Sequence, residues 1–353
     1  MLKKTILMLV LFLMLVFMSA CGNNTGKQAS INTETPVKTL TETPKPELPS
    51  DSSEGALFNS EFLAPDTALR PVAVMIDNQG DKVLPQGGIS QAQIVYEMLV
   101  EGNITRYLAF FWGTLPEMIG PVRSSRHYFL DYAMEYDAIY THFGWSEYAK
   151  ADIKKLKIQN INGLVNGDAF WDITKDRGNW QDSFTSKERI EKQISVLKYR
   201  TEPKKAFPFQ YNDKLVIPEK GEKAVDIFIK FDSIGNSCGF LYDSETNVYD
   251  RIRMEKPQME RNTGKQVMAT NIIIQEVASP LIANDREGRR NLKNIGSGDG
   301  LFITGGKVVS IIWSKNARDA QTTYTTVDGK PIILNRGQTC IEIVPTLNSA
   351  KIQ

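Results

Sequence analysis

The chain has 353 residues, 41% of them hydrophobic and 24% charged, and its 42 lysines and arginines against 41 aspartates and glutamates leave a formal net charge of +1. That balance is ordinary for a globular protein and excludes the basic surplus of a nucleic-acid binder, so no nucleic-acid partner is expected. Three cysteines and two histidines, widely separated and without a His-x-x-x-His pair, give no zinc signature.

The chain opens with Lys3 and Lys4, then an almost unbroken apolar run from Thr5 to Met18, then Ser19-Ala20-Cys21. A basic start, an apolar stretch of about 7–15 residues and small residues at the cleavage site read as a signal peptide, here residues 1–20. A cysteine at that point resembles a bacterial lipobox, with Met18 where leucine is usual. The expected product carries lipid on Cys21 and is tethered to the outer face of the cytoplasmic membrane. No later stretch approaches the roughly 20 apolar residues of a membrane span. Residues 21–60 are rich in Thr, Pro, Ser, Glu and Lys and read as a disordered spacer that cannot bury enough apolar surface to order itself. At roughly 3 Å per residue such a spacer reaches on the order of 100 Å.

Residues 61–200 mix strand and helix signals and predict an α/β or α+β N-terminal domain. "RPVAVMIDN" is a strand ending in Asp77-Asn78, and Ser90–Gln93 looks like a capped helical turn. "IVYEMLVEGNITRYLAFFW" predicts two strands around a Gly102-Asn103 hairpin turn. "SRHYFLDYAMEY" puts Phe129, Tyr132, Ala133 and Tyr136 on one helical face. "DAIYTHF" is a strand feeding a loop. Two further helices follow, one capped by Ser146 and one opening on a Thr185–Glu188 capping box. Residues 201–222, with three prolines and many charges, read as a linker. From 223 to 353 the segments are short and strand-like, with Gly305-Gly306 and Asp328-Gly329 as hairpin signals, predicting a mostly β C-terminal domain. The glycine-rich "GSGDG" at 296–300 is expected to be a turn rather than a phosphate cradle. Cys238 and Cys340 would be free to pair outside the cytoplasm, but spacing does not show that they do.

Six stretches together, "RPVAVMIDN", "GISQAQIVYEMLVEGNITR", "GPVRSSR", "THFGWS", "GLFITGGKVVSIIWSK" and "LNRGQT", resemble the YerB-like family of bacterial lipoproteins. The resemblance covers nearly the whole chain after the spacer. It implies paired N- and C-terminal domains of unknown function and an envelope location, and it supplies no reaction. Where that family's pattern has Pro-His-Asn, this chain has Trp180-Gln181-Asp182. A looser likeness, in ingredients only, is to the LytR-CpsA-Psr cell-wall ligases, with Asp77, Arg106, Arg123 and Arg126 as analogues of their aspartate and pyrophosphate-gripping arginines.

The candidate site is "GPVRSSRHYF", where Gly120-Pro121 turns the chain into what looks like the mouth of a helix. Helix N-termini attract anions through free N–H groups and the dipole, and guanidinium forks suit phosphate or carboxylate. Arg123, Ser124, Ser125 and Arg126 therefore form a candidate ligand site. The alternative is a structural corner in which a serine caps the helix and the arginines pair with carboxylates such as Asp131 or Glu135. Arg106 falls on the apolar face of its strand, where an unpaired charge is costly. A two-residue hairpin would place Glu97 and Glu101 diagonal to it as ion-pair partners. Asp77 and His142 are candidate catalytic residues, and Asp77 with a glutamate could hold a divalent cation. No other cofactor is indicated.

Three functions remain open. One is a lipid-anchored envelope protein binding an anionic, phosphate-bearing cell-wall polymer or glycan through Arg106, Arg123 and Arg126. Another is a metal-assisted phosphotransferase or hydrolase. The third is a scaffold whose β domain holds an envelope protein.

Overall fold

The computed structural model describes residues 59, 62–176, 179, 181–232 and 236–353. The signal peptide, Cys21 and most of the expected spacer lie outside the described residues, as does Trp180. Among the described residues no helix is long and apolar enough to cross a membrane.

The N-terminal half runs β1 (Val72–Asp77), β2 (Ile94–Leu99), β3 (Thr105–Phe111), α1 (His127–Glu135), β4 (Ile139–His142), α2 (Glu147–Leu156), β5 (Asn160–Asn162) and α3 (Lys187–Val196). Five apolar residues followed by an aspartate make β1 a strand buried on both faces. It pairs antiparallel with β3 and parallel with β4, and β4 pairs parallel with β5. The predicted stripe of α1, with Phe129, Tyr132, Ala133 and Tyr136, is buried against one sheet face, where Tyr96 and Phe110 meet it. Phe110 and Tyr136 stand edge to face with ring centroids 4.7 Å apart. Ile190 of α3 packs with Val74, Ile76 and Ala109, which belong to the other face. Burying each of these large side chains stabilises the fold by about 1.5–3 kcal/mol.

The C-terminal half is mostly antiparallel, with β6 (Asp226–Lys230), β7 (Ser237–Asp243), β8 (Val248–Arg253), β9 (Asn271–Glu276), β10 (Gly296–Thr304), β11 (Lys307–Lys315), β12 (Thr323–Thr326), β13 (Thr339–Val344) and β14 (Ala350–Ile352). The expected fold class is therefore found: two domains, the first a mixed sheet with helices, the second mainly strands. They share a sheet. Its order is β12-β11-β10-β9-β13-β2-β3-β1-β4-β5, and the seam is the parallel pairing of β2 with β13. β6, β7, β8 and β14 build a second sheet. Residues 201–222 carry Phe207, Phe209 and Tyr211, which pack on the first core, and Tyr211-Asn212 pairs with Leu334-Asn335.

Four local expectations need correction. The β2–β3 hairpin closes through a three-residue loop, Glu101–Asn103, with Val100 N–H donating to Ile104 C=O at 2.8 Å, so the register differs by one from a two-residue turn. Gly102 and Asn103 both take positive φ there, of 65° and 60°. The cap of α3 is Ser186, whose hydroxyl accepts from Arg189 N–H at 3.3 Å, while Thr185 donates to Ala169 C=O. The single turn expected at Ser90–Gln93 lies instead at Gly88–Ala92, closed by Gln91 N–H to Gly88 C=O at 3.4 Å and Ala92 N–H to Ile89 C=O at 3.3 Å. "GSGDG" is neither turn nor cradle but the first half of β10. Two of its glycines leave room for neighbours, since a Cβ on Gly298 would lie 2.7 Å from Trp313 Nε1, and one on Gly300 would lie 2.9 Å from Ile274 C=O.

Candidate functional site

The hairpin register decides which charges meet. Arg106 lies opposite both Met98 and Asp77, whereas Glu97 lies opposite Tyr107, on the other sheet face. A slip of one residue exchanges faces, so the expected Glu97–Arg106 contact does not form. Glu101 does pair, because its 3-10 turn carries it round to the Arg106 side. Its carboxylate receives Arg126 Nε at 2.7 Å and Arg126 Nη2, and Arg106 Nη2 approaches it at 3.4 Å. Burial pushes the Glu101 carboxyl up, but the hydrogen bond from Arg126 and the charges of Arg106 and Arg126 bring it down to about 2. Arg106 is 1% exposed; burial first, then the charge of Arg126, lowers its guanidinium to about 10. Arg106 Nη1 donates to Ser124 C=O at 2.6 Å, and Arg126 Nη1 to Ser125 C=O at 2.8 Å.

The third arginine is placed differently. Arg123 Nε reaches Asp77 Oδ2 at 2.9 Å. Asp77 also accepts from Gln79 N–H at 3.1 Å and from Gln181 Nε2 at 3.3 Å. Burial lowers the Arg123 pKa, and Asp77 opposes that shift. Asp77, Glu101 and the three arginines thus converge, three guanidiniums against two carboxylates. The serines do not cap α1. Its N-cap is Arg126, in extended conformation and without a side-chain cap. Ser124 donates to Phe143 C=O at 2.9 Å, and Ser125 receives the Tyr140 hydroxyl at 2.9 Å.

His142 is fully buried, with Nδ1 2.7 Å from Gly144 C=O and Nε2 3.0 Å from Asn160 Oδ1. The neutral ring donates only one of these two hydrogen bonds, both being donated only when it is protonated, and its full burial keeps it away from the cleft side chains as a base. Burial, against those two hydrogen bonds, lowers its pKa to about 4. A histidine depressed from about 6.5 is neutral in the fold and protonates first in the unfolded chain, so its contribution is present above pH 6.5 and lost as pH falls toward 4. Unfolding free energy is expected to drop by up to about 3 kcal/mol across that window from this residue alone. Urea titrations at successive pH values check this, and His142→Gln should flatten the pH slope.

Glu97 belongs to a centre that the sequence did not disclose. Arg251, 1% exposed, holds Glu97 Oε2 with one terminal nitrogen and Glu342 Oε1 at 2.8 Å with the other, while its Nε donates to Gln258 at 2.8 Å. The guanidinium lies over the Phe240 and Tyr107 rings at 4.9 and 5.3 Å. Arg253 beside it donates to the Asn78 C=O at 2.9 Å. Glu97, Glu342 and Cys238 form a close acidic group, into which Arg251 already brings the positive charge a cation would supply. Cys238 and Cys340 are both free and buried, and burial pushes the Cys340 thiol up to about 12. Across the core, Lys315 meets Glu135 at 2.6 Å with both side chains buried, a second tie between the halves.

One open cleft lies beside Arg123. It measures about 410 Å³ and is lined by Arg123, Ser124, Phe143, Trp145, Asp172 and Asn179, among others. The cleft sits where β4 and β5 deliver their C-terminal loops, which is where parallel strands of open sheets place ligands. Gly144 turns there with φ +77°, and its N–H donates to Asn162 Oδ1 at 2.9 Å. Arg123 is the arginine of the three that lines this space.

Fold and cleft define a two-domain protein in which an α/β half and a β half share one sheet and the first half carries a concave site. Family models described as the N-terminal and C-terminal domains of a protein of unknown function, DUF3048, match residues 62–200 and 227–341. YerB of Bacillus subtilis (strain 168), named as a lipoprotein, is 36% identical over 294 residues, covering 81% of this chain and 84% of YerB. The crystal structure of YerB from Bacillus subtilis matches with a TM-score of 0.71 at 33% identity, over 81% of this chain and 94% of that one. The chain belongs to the YerB-like family, as its sequence motifs imply.

Proposed function

We propose that this chain is a lipid-anchored protein of the cell envelope, tethered through Cys21 outside the cytoplasmic membrane, whose N-terminal cleft binds an anionic, phosphate-bearing envelope ligand. Lipoprotein status follows the name of the relative and the Ser19-Ala20-Cys21 signal. The observation that carries the ligand reading is Arg123, half-buried and facing the cleft beside Ser124. A partly desolvated guanidinium binds an anion more strongly than an exposed one. Arg106 and Arg126 act behind it, their charge offset by Glu101, and set the local excess of one positive charge.

Arg123→Gln keeps an N–H donor for Asp77 and removes the charge. Calorimetric titration with inorganic pyrophosphate at low salt should show at least a ~10-fold loss of affinity in the variant, about 1.4 kcal/mol. Unchanged affinity in a variant that still folds would remove the anion site from consideration.

A further inference from the structure

Resting on that anion reading, we infer that the ligand of the Arg123 cleft is a carbohydrate carrying the anionic group. The same cleft presents Asp172, an exposed carboxylate that receives the Ser183 hydroxyl on Oδ1 and has no partner for Oδ2 among the described residues. A bare phosphate chain would meet repulsion from that carboxylate as soon as it extended beyond Arg123. A hydroxyl-bearing ligand resolves the conflict, because a hydroxyl donates to Asp172 while the anionic substituent stays on the guanidinium. Asn179 adds the complementary group. Its Oδ1 accepts the Gln181 N–H at 3.1 Å, which leaves its amide N–H donors available among the described residues.

The apolar part of the cleft is aromatic. Phe143 and Trp145 are half-buried and line it, and the Trp145 indole N–H makes no hydrogen bond among the described residues. Flat aromatic faces with a polar edge pack against the C–H face of a sugar ring while bonding its hydroxyls. A volume of about 410 Å³ falls within the range of small-ligand sites. Acceptor, donors, aromatic face and a single cation in one cleft make up the recognition set of a sugar with one acidic substituent. A lipid phosphate would use the arginine and the aromatics but leave Asp172 and Asn179 desolvated without partners.

The test is calorimetric titration of the protein with glucose 1-phosphate, glucose, inorganic phosphate and farnesyl phosphate at matched ionic strength. Glucose 1-phosphate should bind at least ~10-fold more tightly than either phosphate or glucose. Asp172→Asn, at an exposed position, and Trp145→Phe should each reduce that advantage severalfold, with phosphate binding unchanged in Trp145→Phe and unchanged or tighter in Asp172→Asn, where a repelling charge is gone, while Arg123→Gln weakens both phosphate and sugar phosphate. Phosphate binding as well as the sugar phosphate, farnesyl phosphate binding best, or indifference to both cleft variants would each overturn the carbohydrate inference. Sensitivity to Arg123→Gln in those cases would keep the anion reading. Binding of no probe, or binding indifferent to Arg123, would sink both.

Discussion

Arg251→Met is expected to lower the unfolding free energy by about 3–5 kcal/mol, because it leaves two buried carboxylates without their shared cation. Glu97 and Glu342 are 1% and 0% exposed, and each spends its charge on Arg251. Methionine fills a similar volume between Phe240 and Tyr107, so the cost is electrostatic rather than a cavity. Burial holds the Glu342 carboxyl up, Arg251 draws it down, and Glu97 raises it again to about 7. With the arginine gone, the two glutamates can escape the penalty only by protonating. The loss should therefore be larger at pH 8 than at pH 6. Adding Glu97→Gln and Glu342→Gln to Arg251→Met should recover much of it, since buried ion pairs are often replaced by neutral groups at little cost. Urea unfolding followed by tryptophan fluorescence and by far-UV dichroism should give one coincident transition, because β2 and β13 pair across the boundary between the halves. A loss under about 1 kcal/mol, or two separate transitions, would show that this centre does not unite the domains.

Much of this architecture could be read from the chain. The five apolar residues before Asp77, the α1 stripe and the Ser146 cap are local signals, and each element stands where the pattern put it. What could not be read depends on contacts distant in sequence. In "NVYDRIR" the period-two pattern sets Tyr249, Arg251 and Arg253 on one face, and all three are buried. Two arginines on a buried face are a sign of ion pairing, but their partners lie more than 80 residues away, at Glu97, Glu342 and Asn78. The β2–β3 loop shows how small a misreading moves a site. Gly102-Asn103 is a good turn pair, yet Glu101 joins the turn, the register shifts by one, and Glu97 changes faces. Of the three arginines, only geometry separates Arg123, which faces a cleft, from Arg106 and Arg126, which are held by Glu101 and by backbone carbonyls. Asp172 and Asn179 carried no signal at all, being isolated polar residues in an irregular stretch.

Glu101→Gln is expected to cost about 3 kcal/mol at neutral pH. Its carboxyl is held at about 2, well under its ordinary value, so its contribution is present above about pH 4.5 and lost as pH falls toward 2. Glutamine has nearly the same shape and can accept one of the same hydrogen bonds. The loss therefore measures the charge that balances Arg106 and Arg126, and the gap between variant and parent should close through that acid window. Without Glu101 the corner holds three guanidiniums against Asp77 alone, an excess of two positive charges. Phosphate or sulfate should then raise the melting temperature of the variant more than that of the parent at equal ionic strength, since an anion can take the vacated role. Such rescue would mean that the corner is built around negative charge, supplied from within by Glu101 to Arg106 and Arg126 and by Asp77 to Arg123, with one positive charge in excess. A cost below about 0.5 kcal/mol with no anion effect would mean that the backbone carbonyls of Ser124 and Ser125 hold these arginines unaided. The charge excess would then lend nothing to the cleft, and the attraction for an anion there would rest on Arg123 alone.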